Sequence, residues 1–207
     1  MGQVLQRPFI FDTFEEFLVW ERLQPTKHDL IDGVPVAMAG AGEGHNVIAG
    51  NIYFAARSKL GRNNPCRPFQ SDMIMKTGVN KGRYPDVTID CGQRNAANQS
   101  APKPVVVFEV LSPKTQKEDR TVKLAEYNAV PTIAHYVLVE QSEPLVHVYS
   151  RARTGDFIIK PEEIEGVEGS LDLPAIGISI SMAEIYENVD FGDNVPIEPP
   201  TPIPWVR

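Results

Sequence analysis

Two carboxylates in this chain stand where carboxylates are costly. Glu109 interrupts the apolar run VVVFEVL at 105–111, and Asp86 heads the strand-like stretch PDVTID at 85–90. Downstream, the helical segment EDRTVKLAEY at 118–127 offers Lys123 and, one turn on and on the same face, Tyr127. An acid on each of two neighbouring strands with a lysine in reach is the set that metal-dependent phosphodiester cleavage requires. A hard divalent cation takes oxygen ligands and keeps waters. Held between two acids, it polarises a phosphate and lowers the pKa of a bound water.

Side-chain parity supports the pairing. Asp86, Thr88 and Asp90 share one strand face, and Val105, Val107, Glu109 and Leu111 share one face of the other. Antiparallel pairing sets the start of one strand beside the end of the other, and so Asp86 beside Glu109. Two like charges so placed repel unless a positive charge lies between them. Simpler roles exist for each residue. Asp86 suits a turn after Pro85, and Glu109 could pair with a basic residue, although a carboxylate in an apolar strand is a functional-site signal. Lys123 has Asp119 four residues back, the spacing of a surface ion pair. Lys114, in the loop after the second strand, is the reserve lysine. Lys76, Lys81, Arg83, Lys114, Lys117, Arg120 and Lys123 flank the two strands and form a candidate basic collar for phosphate.

The positioning elements follow from periodicity and turn chemistry. A capping box at Thr13 and Glu16 opens a helix over 13–23 that Pro25 ends. Asp32-Gly33 marks a hairpin over 28–39. The longest helical pattern covers 43–60 and ends at Gly61. Strands are expected at 69–76, 85–90 and 105–111, the last buried on both faces. A polar loop fills 91–103, a helix 118–129, strands 134–140 and 145–150, a weaker strand 157–160, a loop, and a short helix 182–186. Residues 1–192 then make one mixed α/β domain, followed by a proline-rich tail at 193–207.

Composition narrows the class. With 207 residues, 42% of them hydrophobic, the chain can build one real core. No run reaches the roughly 20 apolar residues of a membrane span, and the N-terminus lacks the pattern of a signal peptide. Two cysteines, Cys66 and Cys91, cannot supply a secreted-type disulfide framework, which favours a reducing cytoplasm. No P-loop and no zinc spacing is present. The formal charge of −7 argues against global attraction to nucleic acid, though not against a local basic patch with a bound cation.

The order DLIDG, then H, SD, YPD, VFEVLSP, DR-x-x-K-x-x-x-Y and HY-x-LV resembles the Uma family of endonucleases, a branch of the PD-(D/E)XK restriction-endonuclease-like superfamily. The likeness runs from about residue 28 to 149. It implies an αβββαβ core with a central mixed β-sheet flanked by helices, and Mg²⁺-dependent DNA cleavage with Mn²⁺ as a substitute. It also implies that Asp86 and Glu109 are metal ligands and that Lys123 is catalytic. The superfamily's usual lysine, two residues after the second acid, is replaced here by Leu111, and Lys123 on the next helix stands in for it. Asp29, Asp72, His45 and Tyr127 match accessory positions of the family.

Two other functions compete with DNA cleavage. Leu111 and the net charge would suit a silent relative that keeps the fold as a binding or assembly module. RNA or branched nucleic acid would suit the same metal site. By analogy with restriction enzymes a homodimer is expected, with the apolar faces of the hairpin at 134–150 as its interface.

Overall fold

The computed structural model describes residues 10–152 and 155–191; the proline-rich tail lies outside them. Helix α1 (Phe14–Glu21) begins at Thr13, whose hydroxyl accepts from the Glu16 amide while the Glu16 carboxylate accepts from the Thr13 amide. The hairpin β1 (His28–Ile31) and β2 (Val34–Ala37) turns through Asp32 and Gly33 at φ 47° and 83°, the left-handed geometry that favours this residue pair. Helix α2 (Glu43–Leu60) ends at Gly61, φ 68°.

The expected strand over 69–76 is two strands in two different sheets. β3 (Arg67–Gln70) stops where Ser71 takes φ 46°, and β4 (Met75–Gly78) begins after the turn. The glycine-bearing turn after it is followed by a further strand, β5 (Lys81–Arg83). Together β2-β1-β5-β4 form a four-stranded antiparallel sheet that packs on α1 through Phe14, Phe17, Leu30 and Ile74. Gly82 is required there, because a Cβ would collide with the Phe14 ring.

The central sheet has six strands in the order β10-β9-β8-β7-β6-β3. Its members are β6 (Val87–Asp90), β7 (Pro104–Val110), β8 (His135–Val139), β9 (Leu145–Ser150) and β10 (Glu162–Glu165), with β3 at the far edge. All neighbours run antiparallel except β7 and β8, which are parallel and joined by a helical crossover. That crossover is one continuous helix in three parts: α3 (Gln116–Glu118), a π-helical turn (Asp119–Lys123) and α4 (Leu124–Asn128). Val106, Phe108 and Val110 face α2, whereas Val107, Leu111 and Tyr127 form the core on the crossover side. The sequence α2-β3-β6-β7-crossover-β8 is the expected αβββαβ core, with β4 and β5 inserted into it.

Three expectations need correction. The loop expected before the last helix is largely strand. It holds β10 and a separate hairpin, β11 (Ser170–Leu173) with β12 (Ile178–Ser181), which leads into α5 (Met182–Ile185). The strand expected at 157–160 is a single bridge, Phe157 to Arg151. The hairpin assigned to a dimer interface has no free edge: β8 lies between β7 and β9, all five of its residues are buried, and β10 covers β9. Its apolar faces are spent inside the domain.

Cys66 and Cys91 are joined to each other, with Cα atoms 3.9 Å apart, one step beyond the Arg67–Asp90 register pair. The cysteines therefore do not argue for a reducing compartment. Among the described residues no helix is long and apolar enough to cross a membrane. The bridge closes a sequence separation of 25 residues. Removing it by reduction, or by Cys66→Ser with Cys91→Ser, is expected to cost about 3 kcal/mol of unfolding free energy. Equal urea midpoints with and without reductant would show that the bridge does not contribute.

Candidate active site

The register of β6 against β7 decides what meets at the sheet's end. Val87 pairs with Phe108, so Asp86 comes one residue before the ladder, beside the end of β7. There its Oδ2 accepts the Val110 amide at 2.7 Å, and His45 Nε2, from the first turn of α2, lies 3.1 Å from the same oxygen. Both partners meet Oδ2, which leaves Oδ1 to a ligand.

Glu109 is only 3% exposed. Its Oε1 accepts the Tyr127 hydroxyl at 2.6 Å and pairs with Lys123 Nζ at 3.0 Å. Here too one oxygen carries both partners, and Oε2 is left to a ligand. Burial pushes the Glu109 carboxyl up to about 8; Lys123 opposes the rise, while Asp86 and Asp119 add to it. For Lys123, burial works against the ammonium, but Glu109 and Asp119 more than offset it and the pKa is raised. Lys123 therefore stays charged, and the strain of burial falls on Glu109. Burial, with Glu109 next in effect, raises the Tyr127 pKa well above its usual value and keeps the phenol a donor.

The π-helical turn places the lysine. It carries Asp119 and Lys123, whose side chains pair at 2.8 Å, and Tyr136 from β8 donates its hydroxyl to the Asp119 carbonyl at 3.0 Å. The ion pair expected from the four-residue spacing thus exists, but it is buried rather than at the surface. Widened turns of this kind recur at functional sites.

Behind these groups lies a second network. Arg83, 1% exposed, donates through Nε and NH2 to Glu126 at 2.7 and 3.1 Å. Its NH1 donates to Glu118 at 2.8 Å and to Asp29 at 3.2 Å. The other Asp29 oxygen accepts the Tyr84 amide at 3.0 Å. Arg83 ties β5 and β1 to the crossover helix that carries Lys123 and Tyr127.

Asp86, Glu109, Lys123, Asp29, His45 and Lys114 all line one cavity of about 590 Å³. Tyr127 reaches it only through Glu109, and Asp72 is exposed on the turn after β3, outside the cavity. Asp29 spends its carboxylate on Arg83 and Tyr84. The sequence reading missed Arg83, Glu118 and Glu126 as members of the site, and gave Asp119 only as a surface partner. For Asp119 and Glu126 the signal was present as acids on the Lys123–Tyr127 side of EDRTVKLAEY; Arg83 stood only in the basic collar.

The donor set fits a divalent cation. Asp29, Glu109, Glu118, Asp119 and Glu126 gather around two buried cations, Arg83 and Lys123, with Lys81 3.8 Å from Glu126 and Asp86 beside His45, so carboxyl groups outnumber basic ones. No group of three or more metal-ligating side chains occurs among the described residues. Two carboxylate oxygens with the remaining positions given to water and substrate is the manner in which Mg²⁺ binds.

The basic collar is mostly neutralised. Lys76 pairs with Glu15 at 2.7 Å, Lys81 with Asp32 at 2.9 Å and Arg120 with Glu140, while Arg83 and Lys123 are internal. Of the seven, only Lys114 and Lys117 form no ion pair among the described residues.

Comparison with known proteins places this geometry. The profile of the Uma2 family, described as "Putative restriction endonuclease", matches residues 14–183. Two uncharacterized proteins of Synechocystis sp. are similar in sequence. One is 32% identical over 180 residues, covering 86% of this chain and 92% of its own length. The other is 26% identical over 133 residues, covering 62% and 75%. A crystal structure described as a "putative nuclease belonging to DUF820" from Anabaena variabilis superposes with a TM-score of 0.66 at 17% identity. It covers 84% of this chain and 97% of its own, and shows that the fold is shared.

The Arg83 network has a direct test. Arg83→Met leaves Glu126 and Asp29 without their buried cation and is expected to cost about 3–5 kcal/mol of unfolding free energy. A loss below about 1 kcal/mol in urea, the scale of an exposed ion pair, would show that the network does not hold the site together.

Proposed function

Because the chain belongs to the Uma2 family of restriction-endonuclease-like proteins, we propose that it hydrolyses DNA phosphodiester bonds with a divalent cation, Mg²⁺ or Mn²⁺, held by Asp86 and Glu109. The observation that carries this reading is the matched state of the two carboxylates. Each is fixed through one oxygen, Oδ2 by Val110 and His45 and Oε1 by Tyr127 and Lys123, so that the other oxygen is available to the cation. When bound, the cation would polarise the phosphate and acidify a water.

The chain's own groups supply the rest. Asp86 is fixed by the backbone at the end of β7, so its position follows from the sheet. Glu109 is held by the crossover helix. The Lys123 ammonium, beside Glu109, neutralises charge that builds on the phosphate oxygens. Water adds to phosphorus, the ester P–O bond breaks, and a proton from the water ends on the departing oxygen. Leu111 is buried in the crossover-side core and takes no part.

Cleavage of single-stranded circular DNA or nicking of plasmid in Mg²⁺ is expected from the native protein and not from the Asp86→Ala, Glu109→Ala double variant. Equal nicking by both would indicate a contaminant. Lys123→Ala should slow cleavage roughly 10²-fold or more. His45→Ala should instead weaken Mn²⁺ binding by about 10-fold or more, as expected for a group that orients a ligand. Mn²⁺ isotherms unchanged in both Glu109→Gln and His45→Ala would leave the silent binding module as the better reading.

A further inference from the structure

We infer, on the basis of the nuclease reading above, that the substrate is an unpaired nucleic-acid strand threaded into the cavity rather than an intact duplex lying across the surface. Three observations lead to it.

The first is enclosure. Glu109 and Lys123 are 3% and 9% exposed, and the Asp86 side chain is 17% exposed, so the reacting phosphate must come to the bottom of a recess. The strap from Met38 to Gly42, between β2 and α2, lines this recess together with the loop at Pro113 and Lys114. A space of about 590 Å³ is of the size that holds a small ligand. It suits a nucleotide or two and not the width of a double helix.

The second is the mixed lining. Beside the charged Asp86, Glu109 and Lys123 the cavity is lined by Ile31, Val36 and Met38, and the latter two are exposed although hydrophobic. With a phosphate at the charged groups, these side chains would offer apolar surface to an unstacked base. In a duplex that base face is already stacked, and they would have no partner.

The third is the shortage of free cations. Duplex binding draws its affinity largely from basic side chains that neutralise backbone phosphates, whereas here the collar leaves only Lys114 and Lys117 unpaired among the described residues. The net charge of −7 adds no general attraction. One strand entering a recess asks for few phosphate contacts beyond those at the reacting group.

The test uses the full chain and three end-labelled oligonucleotides of one sequence: single-stranded, blunt duplex, and duplex with an unpaired flap. Cleavage is followed in Mn²⁺, and binding by fluorescence anisotropy on the Glu109→Gln variant. The single strand and the flap should be cut at least 10-fold faster than the blunt duplex and bound correspondingly more tightly. Ala39→Trp, which narrows the recess from the exposed strap, should slow cleavage of the single strand at least 10-fold with Mn²⁺ affinity unchanged. Duplex cleavage equal to or faster than single-strand cleavage would overturn this inference and leave the nuclease reading standing. No cleavage and no binding of any of the three would overturn both.

Discussion

A carboxylate inside a strand buried on both faces is the constraint on which the rest of this structure depends. Glu109 sits in the middle layer of a six-stranded sheet, between a core of Val107, Leu111 and Tyr136 and the end of the neighbouring strand. Left alone, an ionised group there would cost several kcal/mol. The fold answers with a tyrosine hydroxyl and a lysine ammonium from one helix, both on the same oxygen. That answer requires Lys123 and Tyr127 to lie over β7, which requires the helix to cross between the parallel strands β7 and β8. It is also incomplete, because burial still raises the carboxyl to about 8. The ionised carboxylate is therefore not fully compensated by its protein partners.

The smaller sheet is coupled to this demand through Arg83. Without that guanidinium, Asp29, Glu118 and Glu126 would add three more acids to a region already overcharged. With it, the hairpin β1–β2, the strand β5 and the crossover helix are fixed to one group. The hairpin then lines the cavity with Asp29, Ile31 and Val36, and the segment after β5 delivers Asp86. Stability and site geometry depend here on the same side chains, so damage to the ionic network is damage to the site.

Much of this was legible in the sequence. Thr13, Glu16, Asp32, Gly33 and Gly61 declare helix and hairpin boundaries through local chemistry, and the structure follows them. Strand parity was enough to bring Asp86 to Glu109, since period two fixes faces wherever the register is set. Long-range sheet membership was not legible. Nothing local says that β3 and β4 belong to different sheets, which are separated by the short turn 71–74 with Ser71 left-handed. The β11–β12 hairpin does carry a local signal, the alternation in SLDL and ISIS, but each run is only four residues long. The ionic partners of Arg83 are 35 to 54 residues away, and spacing does not announce such contacts. Nor does residue type alone show that Lys76, Lys81 and Arg120 are already paired. The cysteine pair, 25 residues apart on adjacent strands, could be read only once the register of β3 on β6 was known.

The central claim is that Asp86 and Glu109 share one cation through the oxygens their protein partners leave open. Crystals grown or soaked with Mn²⁺ and measured for anomalous scattering address it without any assumption about activity. A single strong peak within coordination distance of Asp86 Oδ1 and Glu109 Oε2, on the cavity side of Lys123, is the result expected. No peak at that position at saturating Mn²⁺, with Lys123 still closing Glu109, would contradict the claim and leave the carboxylates as part of an internal ionic network.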